Sequence, residues 1–467
     1  MKYSIAFLLL LVLSQLSAQD LRNTRIPGYR GIWFELNQKY EFGDKYAGGL
    51  GTYTAKHRPL AVYAPEVNKT FFVFGGTTQK DERHLLAMIG AFDHRTGLLT
   101  QPVVAYDKQT VDDPHDNPSL LIDPAGYLWV FVSGRGSKRP GIQLRSREPY
   151  DISAFELIRE AEFTYPQIWQ TDSGMVHFFT KYSGVRELYF ETSPDGQTWS
   201  PTQKLAGIRE AEDEKGGHYQ LSEVRPDGSL IGTFFNRHQN GHPDTRTDLY
   251  YLQSRDQGKR WETVEGKQLR TPVEMVASPS RVIDYQRQGK NVYMKDMAYD
   301  SAGNPICLYL TSNGHEPGPG NAPYTWQLTF FRDGAWHTHA ICESDHNYDM
   351  GSLYLREKSW QVVIPSEDPP QPHGVGGEVA IWQSMDQGKN WEKERQLTQN
   401  SALNHSYVRR PLNFQAPFCF FWATGDPHQL SRSDLHFGDF EGRVWRMPYE
   451  MKGLRARPEQ IAGPATN

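Results

Sequence analysis

The sequence predicts an all-β chain folded as a single β-propeller of seven four-stranded blades, on three observations. Short apolar runs of strand length recur throughout, each closed off by Gly, Pro, Asn or Asp. A turn signature, Ser-x-Asp followed by Gly and then Trp, repeats at wide intervals. No Pro-, Gly- or Ser-rich linker cuts the 467 residues into separate units, and a chain of this length without linkers grows by adding repeats to one architecture.

The runs Thr70-Phe71-Phe72-Val73-Phe74, Leu128-Trp129-Val130-Phe131-Val132 and Ser229 to Phe235 show the strand pattern: aromatic and β-branched residues in stretches too short for a stable helix. Almost no segment holds a helical period for three turns, and Ile152 to Glu162 is the best exception. The turn signature stands at Ser193-Pro-Asp195-Gly196-Gln-Thr-Trp199, Ser254-Arg-Asp256-Gln-Gly258-Lys-Arg-Trp261 and Ser384-Met-Asp386-Gln-Gly388-Lys-Asn-Trp391, with a degenerate copy at Arg332-Asp333-Gly334-Ala335-Trp336. These are Asp-boxes. The Asp carboxylate ties backbone amides of a hairpin turn, the Gly takes positive φ, and the Trp packs between sheets. Related turns at Asp123, Asp172, Asp227 and Asp300 fill the intervals. At about 60 residues per blade the chain accommodates about seven. Such boxes announce a fold and leave the chemistry to other residues.

The first eighteen residues carry Lys2, the apolar run Ile5 to Leu13 and the small pair Ser17-Ala18. That is the pattern of a cleaved secretory signal, so residues 19–467 are expected to form the exported propeller, in the periplasm or the medium. No later run approaches the length of a membrane span, and a soluble monomer is expected. Cys307, Cys342 and Cys419 are too few for a disulfide framework and are expected to be buried thiols. A net charge of −5 with scattered basic residues leaves no nucleic-acid footprint. Any anionic ligand must be met by a local basic pocket. The 13 % aromatic content suits strands and sugar-stacking surfaces alike.

Propellers bind ligands at the mouth of the central channel, so polar clusters outside the Asp-boxes mark the candidate site. The densest is Asp112-Asp113-Pro114-His115-Asp116-Asn117, directly before a strand. A histidine among carboxylates has its charged form favoured and keeps a second nitrogen for proton transfer. His94 lies about one hairpin earlier and is expected at the same rim. Tyr165, before Pro166, is expected in extended backbone at a strand start. The pair Lys181-Tyr182 would come from the next strand of the same sheet. Together they offer a phenol and a cation. Tyr219, Asn236, Arg237 and Tyr348 are candidate sugar contacts, and Arg409-Arg410 could add positive potential. His238 with His242, or Cys342 with His346, could hold a structural zinc or calcium ion.

The stretches Gly28-Tyr-Arg-Gly-Ile-Trp33, Tyr46-Ala-Gly-Gly-Leu-Gly-Thr-Tyr-Thr-Ala-Lys-His57, Ala64-Pro-Glu66, Phe72-Val-Phe-Gly-Gly76, Asp113-Pro-His-Asp-Asn-Pro118 and Tyr165-Pro-Gln167 resemble the BNR-4 type propellers, which include the ulvan lyases of polysaccharide lyase families twenty-four and twenty-five. The likeness runs through most of the chain and is strongest from Gly28 to about Trp261. In those lyases two histidines, a tyrosine and an arginine form the site. The resemblance places His94 and His115 at the histidines, Tyr165 at the tyrosine and Lys181 at the arginine. Lysine keeps the charge but loses the planar two-donor fork, and Arg186 is a nearby alternative donor. Asn117, Arg186, Tyr219, Arg237 and His238 would contact substrate.

The chemistry implied is β-elimination on a sulfated uronic-acid polysaccharide. His115 and Tyr165 would carry the two proton transfers, His94 would position or share the base, and Lys181 would neutralise the carboxylate. No cofactor is required for that chemistry, and the expected partner is the anionic polysaccharide alone. Two other functions fit parts of the sequence. A sialidase would share the Asp-boxes and Arg25-Ile-Pro27, and would need Arg25, Arg237 and Arg409 on one carboxylate. A non-catalytic glycan-binding propeller would keep the rim aromatics without the His/Tyr/cation set.

Overall fold

A computed structural model describes residues 20–80, 82–182, 185–211 and 215–463; the signal segment, residues 1–18, lies outside them. The apolar runs become strands because each is walled in on both faces: Leu128–Val132 and Ile231–His238 are buried along their whole length. A run buried on both sides in a sheet needs no alternation. Among the described residues the strands gather into seven antiparallel blades around a channel.

The innermost strands, in order, are Ala61–Ala64, Pro118–Ile122, Thr164–Thr171, His218–Val224, Asn291–Tyr299, Ser352–Leu355 and Asn404–Arg409. Each opens one blade, and the following strands step outward. Blade 3 is typical: Thr164–Thr171, Gly174–Lys181, Glu187–Ser193 and Gln203–Ala206 pair in that order. Blades 1, 4 and 7 carry additional edge strands. The chain enters every inner strand at the same end of the channel, which we term the upper rim. The first and third turns of each blade lie at the lower rim.

The Asp-boxes occupy third turns on the lower rim. In the first box Ser193 Oγ accepts from the Gly196 amide at 2.8 Å, Asp195 accepts from the Gln197 and Thr198 amides, and Trp199 Nε1 donates to Gly196 O. The box at Ser384 repeats this with Gly388, Asn390 and Trp391. Its Gly388 has φ +89°, and a Cβ there would stand 2.6 Å from the Trp360 ring. Blades also meet through aromatic pairs such as Phe190–Trp261 and Phe330–Trp360, with ring centroids 5.4 and 5.3 Å apart.

Residues 152–162 are not helical: Phe155–Ala161 is the outer strand of blade 2, paired with Gly141–Ser146 across a bulge. An edge strand exposed on one side tolerates the spacing that also reads as a helix, and the neighbouring strand's unpaired backbone groups decide between them.

The N-terminal segment closes the ring. Tyr29 donates its amide to Pro448 O on blade 7, and Ile32 to Gly75 O on blade 1. The short strand Arg455–Ala456 pairs with Leu99 and Thr100 of blade 1, and the last strand, Glu459–Ala462, returns to blade 7. Residues 33–57 then turn across the upper mouth: Trp33–Glu35 pairs with Ala47–Gly49, and the hairpin between them reaches Asp244, His315 and His373 on blades 4, 5 and 6.

Gly388→Val puts a β-branched side chain at positive φ against an indole and is expected to destabilise the fold by about 2–4 kcal/mol. Calorimetric melting of the variant checks this, and an unchanged Tm would contradict it.

Candidate active site

His115 sits in a short 3₁₀ turn, Pro114–Asp116, immediately before the inner strand of blade 2. The sequence builds this turn from both ends. Asp113 caps it by accepting from the His115 amide at 3.0 Å, and Pro114 supplies the helical φ of a first position. Asn117 Nδ2 donates to Leu50 O and Tyr53 O, which fastens the turn to the N-terminal segment. Buried Asp116 pairs with Lys108 at 2.6 Å and Arg139 at 2.9 Å.

The imidazole is oriented by Asp113, which accepts from Nδ1. The other carboxylate oxygen of Asp113 accepts from Arg135 at 2.7 Å and Arg139 at 2.8 Å. Burial opposes ionisation of Asp113, but His115 and these arginines hold its carboxyl well below the usual range. Burial pulls the His115 imidazole below 6.5 and outweighs the pull of Asp113 in the other direction. Nε2 lies 2.8 Å from the Tyr46 hydroxyl and 3.1 Å from that of Tyr53.

Tyr165 stands beside this turn, its ring 5.9 Å from that of His115. Its backbone is not extended as the following proline suggests: φ is +56°, at a bulge between Thr164 and Gln167. The bulge overrides the pre-proline preference and aims the phenol out of the sheet over the channel, as bulges beside sites often do. The Tyr165 hydroxyl accepts from that of Tyr182 at 3.1 Å, and burial raises its pKa well above 10. Tyr219 packs edge-on against Tyr165 at 5.5 Å. Burial alone would raise its pKa too, but Arg246 and Arg186 outweigh burial and lower it.

The cations at this rim are unevenly paired. Arg186 lies 4.8 Å over the Tyr182 ring, and Arg246 and Lys56 each lie 4.5 Å from the Tyr219 ring. Among the described residues neither Arg186 nor Arg246 has a carboxylate partner. Arg246 is buried, with Nη2 on the Tyr348 hydroxyl at 2.5 Å. Arg186 is only half-buried and is the guanidinium open to a ligand.

Of the residues singled out from sequence, His115, Tyr165, Arg186 and Tyr219 converge here, with Tyr348 beside Arg246. His94 does not. It lies in the third turn of blade 1, at the lower rim, bonded to Thr70 and Ala416 O at 2.8 and 3.1 Å. One hairpin of separation carried it to the opposite end of the channel, because each strand crosses the whole blade. Lys181 is at the correct rim but points outward, with Nζ on Thr202 at 3.1 Å and over the Tyr189 ring. Successive strand residues face opposite sides, so its neighbour Tyr182 points inward instead. Asn117 is wholly buried and serves the turn. Arg237 is tied to Asp248 at 2.8 Å and Glu210 at 2.6 Å, while Asn236 bonds backbone on both sides. His238 is buried against Tyr219, ring centroids 4.5 Å apart.

His238 faces Tyr219 while His242 faces His315, and among the described residues no three His, Cys, Asp or Glu side chains are grouped to hold a metal ion. The sialidase arrangement is likewise absent: Arg25 bonds Gln101 O, Arg237 is paired as above, and Arg409 donates to Thr52, Thr54 and His57 carbonyls. Sequence reasoning missed Tyr46, Tyr53, Lys56, Arg135 and Arg246 as members of the cluster. The first three were legible only as a run dense in Tyr, Lys and His between glycines.

The fold and this rim define a β-propeller with an imidazole, phenols and an accessible guanidinium over its channel mouth. Residues 92–344 match the sequence model of the BNR repeat-containing family BNR_4, and the chain belongs to that family. It is 22 % identical over 360 residues to an ulvan lyase of Nonlabens ulvanivorans, covering 67 % of this chain and 72 % of that protein. It is 24 % identical over 245 residues to an ulvan lyase of Alteromonas sp. (strain LOR), 46 % of this chain and half the length of that relative. Among solved structures, a polysaccharide lyase PL25 ulvan lyase bound to -[GlcA(1-4)Rha3S]- superposes with a TM-score of 0.68 at 15 % identity, covering 92 % of this chain and 97 % of the other.

Burial holds His57 and His346 at about 3, and His218 and His405 at about 4. The unfolded chain protonates such rings near 6.5, so it binds more protons than the folded state as pH falls below that value. Stability is therefore complete above about pH 6.5 and is lost progressively toward pH 4. Thermal melting followed across this range should show a steadily falling Tm; a flat profile would contradict it.

Proposed function

We propose that this protein is an exported polysaccharide lyase that cleaves a sulfated uronic-acid polymer of the ulvan type by β-elimination. The observation that carries this is the meeting, at one rim, of a neutral imidazole, a protonated phenol and an accessible guanidinium without a carboxylate partner. The relatives named above as ulvan lyases, and the bound saccharide of the superposed structure, support the choice of polymer.

In a chain-linked uronate the C5 proton lies next to the carboxylate, and the bridging oxygen is on C4. Arg186 takes the carboxylate through its planar donor fork and stabilises the charge that develops as the C5–H bond breaks. His115, neutral and oriented by Asp113, is the base that receives the C5 proton. Tyr165 keeps its proton to high pH and delivers it to O4 as the C4–O4 bond breaks. A C4=C5 double bond remains on the sugar. Lys181 has no part in this, and Tyr219 with Arg246 forms the wall on which the sugar rests.

Incubation with ulvan and other uronate polymers, followed by the ultraviolet absorbance of the unsaturated product, tests the proposal. Arg186→Ala is expected to lower kcat/KM about 100-fold or more, while Lys181→Ala leaves it unchanged. Because burial depresses the His115 imidazole, the acidic limb of kcat/KM should lie below pH 6.5. No absorbance rise on any uronate polymer would overturn the assignment.

A further inference from the structure

The base of the proposed reaction is covered. His115 is 4 % exposed, and both phenols of the N-terminal segment that closes over the channel point at its Nε2, from 2.8 and 3.1 Å. With Nδ1 engaged by Asp113, Nε2 presents a single lone pair. One lone pair accepts from one hydroxyl, so Tyr46, the nearer, fills it, and the Tyr53 hydroxyl, within reach of the same nitrogen, is left beside the Tyr46 oxygen. The two rings are stacked, 5.2 Å apart and inclined by 13°, which holds the hydroxyls side by side. Tyr46 is backed on its other face by Tyr348.

We propose that the C5 proton reaches His115 through this phenol pair, with Tyr53 the group that touches the substrate. This rests on the lyase function proposed above and names the residue that meets C5–H. The C5–H bond breaks and its proton bonds to the Tyr53 oxygen. The Tyr53 proton passes to the Tyr46 oxygen, and the Tyr46 proton to Nε2, leaving an imidazolium that faces the Asp113 carboxylate. The C5–H electron pair becomes the C4=C5 bond as the C4–O4 pair leaves with O4, which takes the proton of Tyr165. One proton gained at His115 and one lost at Tyr165 are exchanged through water before the next turnover. Chains of this kind transmit charge because each hydrogen bond polarises the next.

The test uses the full-length exported protein and the same absorbance assay. Tyr53→Phe and Tyr46→Phe keep the stacked rings and remove only the hydroxyls. Each is expected to lower kcat by about 100-fold or more, with KM and Tm unchanged. The wild-type rate plotted against the deuterium fraction of the solvent should bow downward, as when several protons move in one step. Wild-type kcat in both variants, or a straight plot for the wild type, would overturn the relay. If the wild type eliminates and the Phe variants do too, the relay alone fails; if the wild type forms no unsaturated product, the lyase assignment fails and takes the relay with it.

Discussion

Four buried charges meet on the axis of the propeller. Arg58 bonds Glu223 and, at 2.6 Å, Asp296; Arg410 bonds the same two carboxylates at 3.2 and 3.4 Å. The four side chains come from blades 1, 4, 5 and 7, so a single ion cluster ties inner strands that are far apart in sequence. Such a cluster tolerates no missing member: removing one partner strands a buried charge at a cost of about 3–5 kcal/mol. Arg58 also follows Lys56 and His57 directly. Anchoring it fixes the end of the segment that carries Tyr46 and Tyr53, and through Asn117 fixes the turn that carries His115. The lower end of the channel opens below the cluster into a cavity of about 580 Å³, away from the upper rim and its chemistry.

Above that cluster the balance of charge reverses. The molecule as a whole is acidic, yet Arg135, Arg186 and Arg246 surround a few phenols and the carboxylate of Asp113, with Lys56 beside them pushed toward its neutral form by burial and the neighbouring cations. Local concentration of positive charge on an anionic protein is what recognition of an anionic polymer needs. The phenols respond differently to this field: two arginines outweigh burial and lower the pKa of Tyr219, while burial and the neighbouring phenols raise that of Tyr165. Neighbouring hydroxyls of one residue type thereby acquire opposite tendencies from their surroundings alone.

Much of this was legible in the residues, and the pattern of success is physical. Asp-box turns are local: the hydrogen bonds that close the turn from Ser193 to Trp199 fall within seven consecutive residues, so their spelling suffices. The His115 turn was legible for the same reason, since its cap, proline and terminal asparagine are contiguous. His94 was misplaced because sequence distance along a hairpin does not say at which end of a blade the turn falls. Lys181 was misjudged by one residue, which in a strand means the opposite face. Tyr165 stands at the rim where it was expected, but not in extended backbone, because a bulge depends on the partner strand. Arg237 and Asn236 looked like free polar side chains and are consumed by buried partners that only folding supplies.

The sequence by itself determined the all-β class, the blade rhythm, the structural standing of the Asp-boxes and two candidate residues of the upper rim, His115 and Tyr165. Each of these rests on contacts within a few residues of chain. Tertiary structure alone decided which cation stands beside them, that Tyr46 and Tyr53 cover the imidazole, and that His94 lies at the opposite rim. Those facts depend on bringing residue 46 to residue 115 and residue 186 to residue 165. Closure of the ring does this by placing the starts of separate inner strands around one axis, and no local pattern encodes that convergence.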